Sequence, residues 1–476
     1  MSESFDVIVI GGGTAGLVTA SGCARLGRKV ALIEREKLGG DCLWTGCVPT
    51  KALVASARLA HQMRHADAYG LEPHSVRVNP RSVMDSMRAQ RHAIEHHDDP
   101  SKFRALGIDV IFGKARFASR NSVDVGGRRL IAKDIVIATG TRTDVPPIPG
   151  LAEHGFLDHV SFLNQDAFPA SLLILGGGYI GIEFSQIFRR FGCEVVVVQR
   201  PDQIITNEDA DVIARIRHIL GEEGIDIRSG WEATSIHREA GRKVVRIENK
   251  LGASKEIRVD EIFVASGRRA NTDDLGLEAI DVKTDRSFVV TDKYLQTSVP
   301  RIWACGDVHG GMQFTHVAAY EAVKLVRNML FPGRSEVVYE HIPWGLYTDP
   351  EVGHIGMTEA EATAAIGAGN VRTYSVEMAE VDRAVVDRTT GGFLKLVCDQ
   401  RGRILGAHAL CANASTLIET LVLARQKKMT VAQLAGLVSP YPSLADALGK
   451  AASMYYQDIA KGWLGKVGKT IAKWSQ

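Results

Sequence analysis

The stretch DVIVIGGGTAGLVTASGCARLGRKVALIE (6–34) decides the fold. Its first five residues are the short apolar run of a strand buried on both faces. Gly11, Gly13 and Gly16 follow as G-x-G-x-x-G, then a helical stretch, then a second strand ending on Glu34. A glycine triplet alone says little. Between two strands, with an acid closing the second, it is the dinucleotide-binding fingerprint. Gly11 permits the tight turn, Gly13 lets the backbone approach a pyrophosphate, and Gly16 lets helix and strand pack closely. The helix then turns its positive end toward the phosphates. Glu34 is placed to accept hydrogen bonds from an adenosine ribose.

The pattern recurs. LLIL (172–175) leads into Gly176, Gly178 and Gly181, a second helical stretch, and EVVVV (194–198). Two fingerprints imply two dinucleotides and two doubly wound domains. DIVIATG (134–140, with Thr139 and Gly140) and EIFVASG (261–267, ending on Gly267) bracket the second fingerprint. They mark the exit from the first domain and the return to it, with PPIPG (146–150) as linker. From about residue 340 strand-like runs alternate with helices and no fingerprint appears, which predicts a third domain.

A chain of 476 residues fits roughly three domains at about 150 residues each. With 57 basic and 55 acidic residues the net charge is only +2, so no field built for nucleic acid is present. No apolar run approaches the roughly 18–20 residues that span a bilayer. The N-terminus lacks the positive segment of a secretory signal, and seven cysteines do not make a disulfide scaffold. A cytoplasmic protein with mostly reduced thiols is expected.

Two cysteines stand apart, in GGDCLWTGCVPTKAL (39–53). The spacing from Cys42 to Cys47 is neither a zinc pair nor a thioredoxin pair. Pro49 and Thr50 predict a helix start, whose N-terminus together with Lys51 would favour a Cys47 thiolate. Cys23, Cys193, Cys305, Cys398 and Cys411 lie singly among apolar neighbours and read as buried structural thiols. No metal site is read: His96-His97-Asp98-Asp99 is an exposed helix end whose adjacent side chains diverge. Arg268-Arg269 is expected to shape a domain junction.

Taken together, GGGTAG, GGDCLWTGCVPTK, IATG, GGGYIGIE, ASGRRANT and IWACGDV resemble the class I flavoprotein (pyridine nucleotide-disulfide) oxidoreductases, the family of dihydrolipoamide dehydrogenase, glutathione reductase and mercuric reductase. The resemblance runs from Phe5 to about Ala452. It implies FAD on the first fingerprint, a nicotinamide cofactor on the second, a redox-active Cys42–Cys47 disulfide, and a head-to-tail homodimer held largely by the third domain. The expected class is α/β: two doubly wound dinucleotide-binding domains plus a C-terminal α+β dimerisation domain. The FAD-binding domain would take residues 1–150 and 271–335, the NAD(P)-binding domain 151–270, and the dimerisation domain 336–458. By the same resemblance Cys47 is the sulfur next to flavin and Cys42 the one that meets substrate. Lys51 stands near the flavin with Glu183 as its ion-pair partner. Asp307, after Gly306, binds the ribityl chain, and the His316 backbone amide faces the pyrimidine end of the ring.

The second fingerprint's strand ends Val198-Gln199-Arg200. Gln199 stands where an NAD site carries an acid, so repulsion of a 2′-phosphate is gone, and Arg200 can pair with that phosphate. NADPH is therefore favoured over NADH, although Thr206 stands where NADP-specific relatives often carry a second arginine. The largest departure from the family is Tyr441-Pro442-Ser443-Leu444-Ala445-Asp446. Disulfide-reducing members have H-P-x-x-x-E there, with the histidine as acid/base for thiol exchange. Tyrosine titrates near 10 and is a poor proton acceptor at neutral pH. Mercuric reductases also place tyrosine near this point, but this chain has no cysteine after Cys411 and no N-terminal metal-binding CxxC domain.

The expected function is an FAD-dependent NAD(P)H oxidoreductase passing electrons through the disulfide to a small-molecule or thiophilic acceptor. The alternatives are a dihydrolipoamide or small-disulfide reductase working with Tyr441 and Asp446, a quinone or one-electron-carrier reductase docked at a membrane, and a redox-responsive binding protein. Residues 459–476 suggest the docking route. Ile459, Trp463, Leu464, Val467, Ile471 and Trp474 share one helical face, and Lys461, Lys466, Lys469 and Lys473 the other. Such a basic amphipathic tail packs along its own dimer or lies on a partner or on the inner membrane face.

Overall fold

The computed structural model describes residues 2–461. The expected tail therefore lies, from residue 462 onward, outside the described residues. Ser2–Ile10 is the centre of the first sheet, flanked by Val30–Glu34 and Arg128–Ile137, both parallel to it. Asp109–Phe112 extends one side in parallel, and the antiparallel Ser122–Val125 and Ala115–Ser119 close the other. The chain comes back to this sheet at Ile302–Ala304, which pairs in parallel with Ile135–Ile137. Two distant segments thus build one domain.

The second sheet is fully parallel, in the order Glu261–Val264, Ser171–Leu175, Glu194–Gln199, Asp226–Ser229. Every residue of Ser171–Leu175 is buried, as a strand covered on both faces requires. An antiparallel sheet of Trp231–Glu239, Arg242–Asn249 and Ser254–Val259 packs beside it. The third unit is a five-stranded antiparallel sheet, Trp344–Leu346, Glu351–Gly356, Ile404–Cys411, Phe393–Asp399 and Val371–Glu377 in that order. Helices Ala414–Gln426 and Asp446–Lys461 cover it.

One apolar cluster runs through all three units. It joins Leu53 of the helix Cys47–Arg64 to Phe184 and Phe188 of the helix Tyr179–Arg190, and to Trp344 and Phe393 of the third sheet. The cysteine-bearing helix is therefore held from three sides. Among the described residues, no helix is long and apolar enough to cross a membrane.

Candidate active site

The two fingerprint turns open on one cavity of about 1830 Å³. In the first turn Gly11 has φ 111°, and a Cβ there would lie 2.2 Å from the Ala138 carbonyl oxygen. A Cβ on Gly16 would lie 1.8 Å from the Gly11 carbonyl oxygen. Glycine is obligatory at both positions. Helix Thr14–Arg25 starts from Gly13 with no side-chain cap and no acid in its first turn, so its first amides stay available to an anion. Glu34 accepts the Gly12 N–H through Oε2 at 2.7 Å and the Glu36 N–H through Oε1 at 2.8 Å. Each oxygen keeps a second lone pair for a ribose hydroxyl.

The other end of this cradle is made by Thr139, Gly140, Gly306 and Asp307, which line the cavity. Thr139 Oγ1 is buried without a hydrogen-bond partner, an orphan that asks for a ligand. Asp307 accepts from Thr141 Oγ1 at 3.1 Å, and burial pushes its carboxyl up. His316 is the second residue of helix Thr315–Leu330, where backbone amides lack helical partners. Its ring Nε2 donates to the Pro343 carbonyl at 2.7 Å. An anion-ready helix start, a carboxylate at ribose position, an orphaned hydroxyl and a buried acid fit FAD.

The second turn repeats the first. Cβ atoms on Gly176 and Gly181 would lie 2.3 Å and 1.9 Å from the Ala265 and Gly176 carbonyl oxygens. A Cβ on Gly178 would meet nothing within 4 Å, which leaves that space to a ligand. Gln199 Oε1 accepts the Gly177 N–H at 2.7 Å, the bond that Glu34 makes with Gly12. An amide thus holds the acid's place without its charge. Arg200 is largely exposed, 3.9 Å from Glu232. Gly267 lines the cavity beside Arg268.

The cysteine loop rests on the first fingerprint. Gly39 and Gly40 have φ of 106° and 57°, and a Cβ on Gly40 would lie 2.7 Å from Gly13 Cα. This contact turns the chain into the short helix Gly40–Trp44 and then into Cys47–Arg64. Cys42 and Cys47 are free, half-buried thiols facing the cavity. Cys47 Sγ lies 3.2 Å from Thr315 Oγ1. The hydrogen bond from Cys42 is the largest influence on Cys47. With Thr315 and the Lys51 charge it outweighs burial and brings the Cys47 thiol down to about 6. The same bond and burial push the Cys42 thiol up. One sulfur is prepared as thiolate and the other as its proton-bearing donor.

Lys51 Nζ meets Glu183 Oε2 at 2.9 Å and Oε1 at 3.2 Å. Burial, the largest influence, pushes its ammonium down, but the charge and hydrogen bonds of Glu183 together with the Cys47 charge outweigh it and hold the group above the usual lysine range. Glu183 also accepts the Tyr347 N–H at 2.9 Å, and Lys51 Nζ lies 4.5 Å from the centre of the Tyr347 ring. One residue from each unit therefore fixes the cation beside Cys47.

Thr315, Tyr347, Asp41, His159 and Arg268 also line the cavity and were not read from the sequence as site residues. Thr315 and Tyr347 carry no local signal. Asp41 accepts from Arg268 Nη2 at 2.5 Å and lies 3.3 Å from the buried His159 Nε2. Burial pushes the Asp41 carboxyl up, but the His159 hydrogen bond and the Arg268 charge hold it well below the usual range. Arg268 also donates to Thr141 Oγ1 at 2.6 Å, so it stands inside the cavity as well as at the junction between Arg268–Ala270 and Thr141–Thr143.

Tyr441 and Asp446, which stand where the family carries its histidine and glutamate, bond to other partners within the chain. Tyr441, 76% exposed, donates to Asp382 Oδ2 at 2.8 Å, and that bond raises its phenol. Asp446 opens the last helix and accepts the Ser443 N–H at 3.4 Å. Its short side chain is spent on its own turn. Neither residue lines the cavity of its own chain. The five remaining cysteines are buried, and His96 and His97 are exposed.

Known proteins match this architecture along nearly the whole chain. A family profile described as "Pyridine nucleotide-disulphide oxidoreductase" matches residues 5–322, and its "dimerisation domain" matches residues 342–452. The mercuric reductase of Streptomyces lividans is 33% identical over 468 residues, 96% of this chain and 97% of that one. The dihydrolipoyl dehydrogenase of Rhizobium etli is 33% identical over 475 residues, 95% of this chain and 98% of that one. The solved Cu(II) complex of the HOCl-induced flavoprotein disulfide reductase RclA from Escherichia coli superposes with a TM-score of 0.84 at 29% identity. It covers 95% of this chain and 99% of that one.

Proposed function

The chain belongs to the pyridine nucleotide-disulphide oxidoreductases and is an FAD-dependent NAD(P)H disulfide oxidoreductase that forms a homodimer; from that premise we propose that its cysteine pair delivers electrons to a thiophilic metal ion. Bound in the first cradle, FAD supplies the two-electron relay between a reduced nicotinamide and the cysteines. We assign that cradle to Gly11, Gly13, Gly16, Glu34, Thr139, Gly140, Gly306, Asp307 and the His316 amide. Residues 1–150 with 271–335, 151–270 and 336–458 form the FAD, nicotinamide and dimerisation domains.

Lys51, tied to Glu183, holds a fixed positive charge beside Cys47. The Cys42 thiol and the Thr315 hydroxyl donate to the Cys47 thiolate. Closing the pair to a disulfide releases two electrons and the Cys42 proton. The observation that carries the choice of acceptor is Tyr441. Its phenol is bound to Asp382 and held protonated, so it offers no base for exchange with an organic disulfide. A metal ion takes electrons from sulfur without receiving a proton. The named relatives include a mercuric reductase and a reductase solved with Cu(II). Tyr441 stands with the exposed Leu437 and Val438, an apolar edge suited to the second copy of the chain.

The test is anaerobic. Enzyme reduced with one equivalent of NADPH is mixed with Cu(II) or Hg(II), with lipoamide, or with a small quinone. Rapid reoxidation by the metal and slow reoxidation by lipoamide is expected. Rapid reoxidation by lipoamide overturns the choice of acceptor. Tyr441→His is expected to raise lipoamide turnover by about 10²-fold or more, the scale of general-base catalysis. An unchanged rate would show that Tyr441 does not limit exchange.

We further propose NADPH as the donor. Gln199 removes the repelling charge, and Arg200, exposed and only loosely paired with Glu232 at 3.9 Å, can turn to a 2′-phosphate. Gln199→Glu keeps an acceptor for the Gly177 N–H, as Glu34 does in the first turn. Combined with Arg200→Ala, it should lower the ratio of kcat/KM for NADPH over NADH by about 10- to 100-fold, the worth of one charge-assisted contact. A ratio already below one in the native enzyme would reverse the assignment.

A further inference from the structure

We infer that Glu208, His354 and His408 form a binding site for a divalent ion of the zinc class, separate from the cysteine pair, that ties the second domain to the third. His354 and His408 stand opposite one another on the antiparallel strands Glu351–Gly356 and Ile404–Cys411. They therefore project from one face of the sheet. Glu208 reaches them from the segment preceding helix Ala210–Glu222. All three side chains are buried, and their donor atoms lie within 4.8 Å of one another. Glu208 Oε2 is 3.2 Å from His354 Nδ1, and Oε1 is 2.5 Å from His408 Nδ1.

The outer contacts set the tautomers. His354 Nε2 faces the Gly356 carbonyl at 2.9 Å, and His408 Nε2 faces the Met357 carbonyl at 3.2 Å. A carbonyl can only accept, so each ring carries a proton on Nε2 and turns Nδ1 toward the carboxylate. Ligating histidines are oriented in this way, by a backbone carbonyl on the far nitrogen.

Without an ion, each of the two Nδ1–carboxylate contacts needs its own proton. A doubly charged ion replaces those two protons with no change in net charge. The surrounding Lys395, held by Asp209 at 2.9 Å and by Asp211 and Glu359 at 2.6 Å, then needs no new partner. Two imidazole nitrogens and one carboxylate oxygen are a zinc-type donor set. A tetrahedral ion with bonds of about 2.0–2.1 Å sets its donors about 3.3 Å apart, within the spread of the three donors here. Of the three ligands His354 lines the main cavity, as does Asn207 next to Glu208, so an ion and a water in its fourth position would enter from that side. The Trp344 ring stacks on His354 at 4.6 Å and holds that ring in place.

The experiment uses the full FAD-loaded chain carrying Cys42→Ser and Cys47→Ser, so that the thiols do not compete. Equilibrium dialysis against Zn²⁺ should give one bound ion per chain. Co²⁺ in its place should give the visible bands of four-coordination. Glu208→Gln and His354→Gln should each weaken Zn²⁺ binding by about 100-fold or more, beyond the effect of losing an outer-shell contact. No bound Zn²⁺, or binding by both variants as tight as the parent's, overturns the site. Should the variants fail to fold, zinc-soaked crystals of the parent decide: an anomalous peak among the three donors supports the site, and donors bonded only to one another overturn it.

Discussion

Cys42→Ala is expected to lose turnover of acceptors that take electrons at sulfur by about 10³-fold or more, the scale of losing a reacting nucleophile. The same change should make Cys47 a weaker acid. The Cys42 hydrogen bond is the largest influence holding that thiol down at about 6. Removing a donor to the thiolate destabilises the charged form, so the midpoint rises. Cys42→Ser keeps a hydroxyl donor and should raise it less. Alkylation by iodoacetamide reads this directly, because in both variants Cys47 is the one remaining cysteine that is not buried. The rate follows the thiolate, so it falls as pH drops through the midpoint. The midpoint should lie higher in Cys42→Ala than in Cys42→Ser. Coincident profiles would mean that helix start, Thr315 and Lys51 account for the acidity without Cys42. A smaller rise is expected for Thr315→Val, which removes the contact at 3.2 Å.

Glu183→Gln should destabilise the protein by about 2 kcal/mol. Removing one partner of a fully buried pair costs about 3–5 kcal/mol, and Lys51, with a side chain 34% exposed, recovers part of that from water. The glutamine can still accept the Tyr347 N–H, so the loss reports the charge. Urea unfolding should show a lower midpoint with an unchanged slope. The sign of the pH dependence follows from Lys51, whose folded value is raised above 10.5. The pair's contribution is full below 10.5 and is lost as pH rises through the folded value. The gap between native enzyme and variant should therefore be constant from neutral pH to mildly alkaline pH and close only beyond it. Lys51→Met with Glu183→Leu should recover much of the stability, since an apolar pair of similar volume replaces a buried ion pair at little cost. It should not recover turnover, because the fixed charge beside Cys47 is gone. Turnover with NADPH should fall by about 10²-fold in Glu183→Gln, the usual effect of weakening one preorganised charge. Full stability and full turnover in Glu183→Gln would remove the pair from the mechanism.

Local constraints were legible in the sequence because they act within a few residues. Gly16 is glycine because the Gly11 carbonyl oxygen would lie 1.8 Å from its Cβ, and the same holds for Gly181 and Gly176. The strands, both turns, the acid at Glu34, its neutral replacement at Gln199 and the helix beginning at Cys47 follow from such short-range rules. The resemblance in motif also placed Lys51 with Glu183, 132 residues apart, and the structure brings them together. Tertiary packing alone decided the rest. Thr315, 268 residues from Cys47, and Tyr347 reach the site because the first sheet closes with a returning segment and the third sheet caps the cysteine helix. Asp382 captured Tyr441, and Asp446 turned to its own helix start. Glu208, His354 and His408 converge through one cross-strand pair and one segment from another domain, with no spacing in the chain to announce it. A residue's conformation is limited by its near neighbours, but the partner of a side chain is chosen by whichever distant element the packed core presses against it.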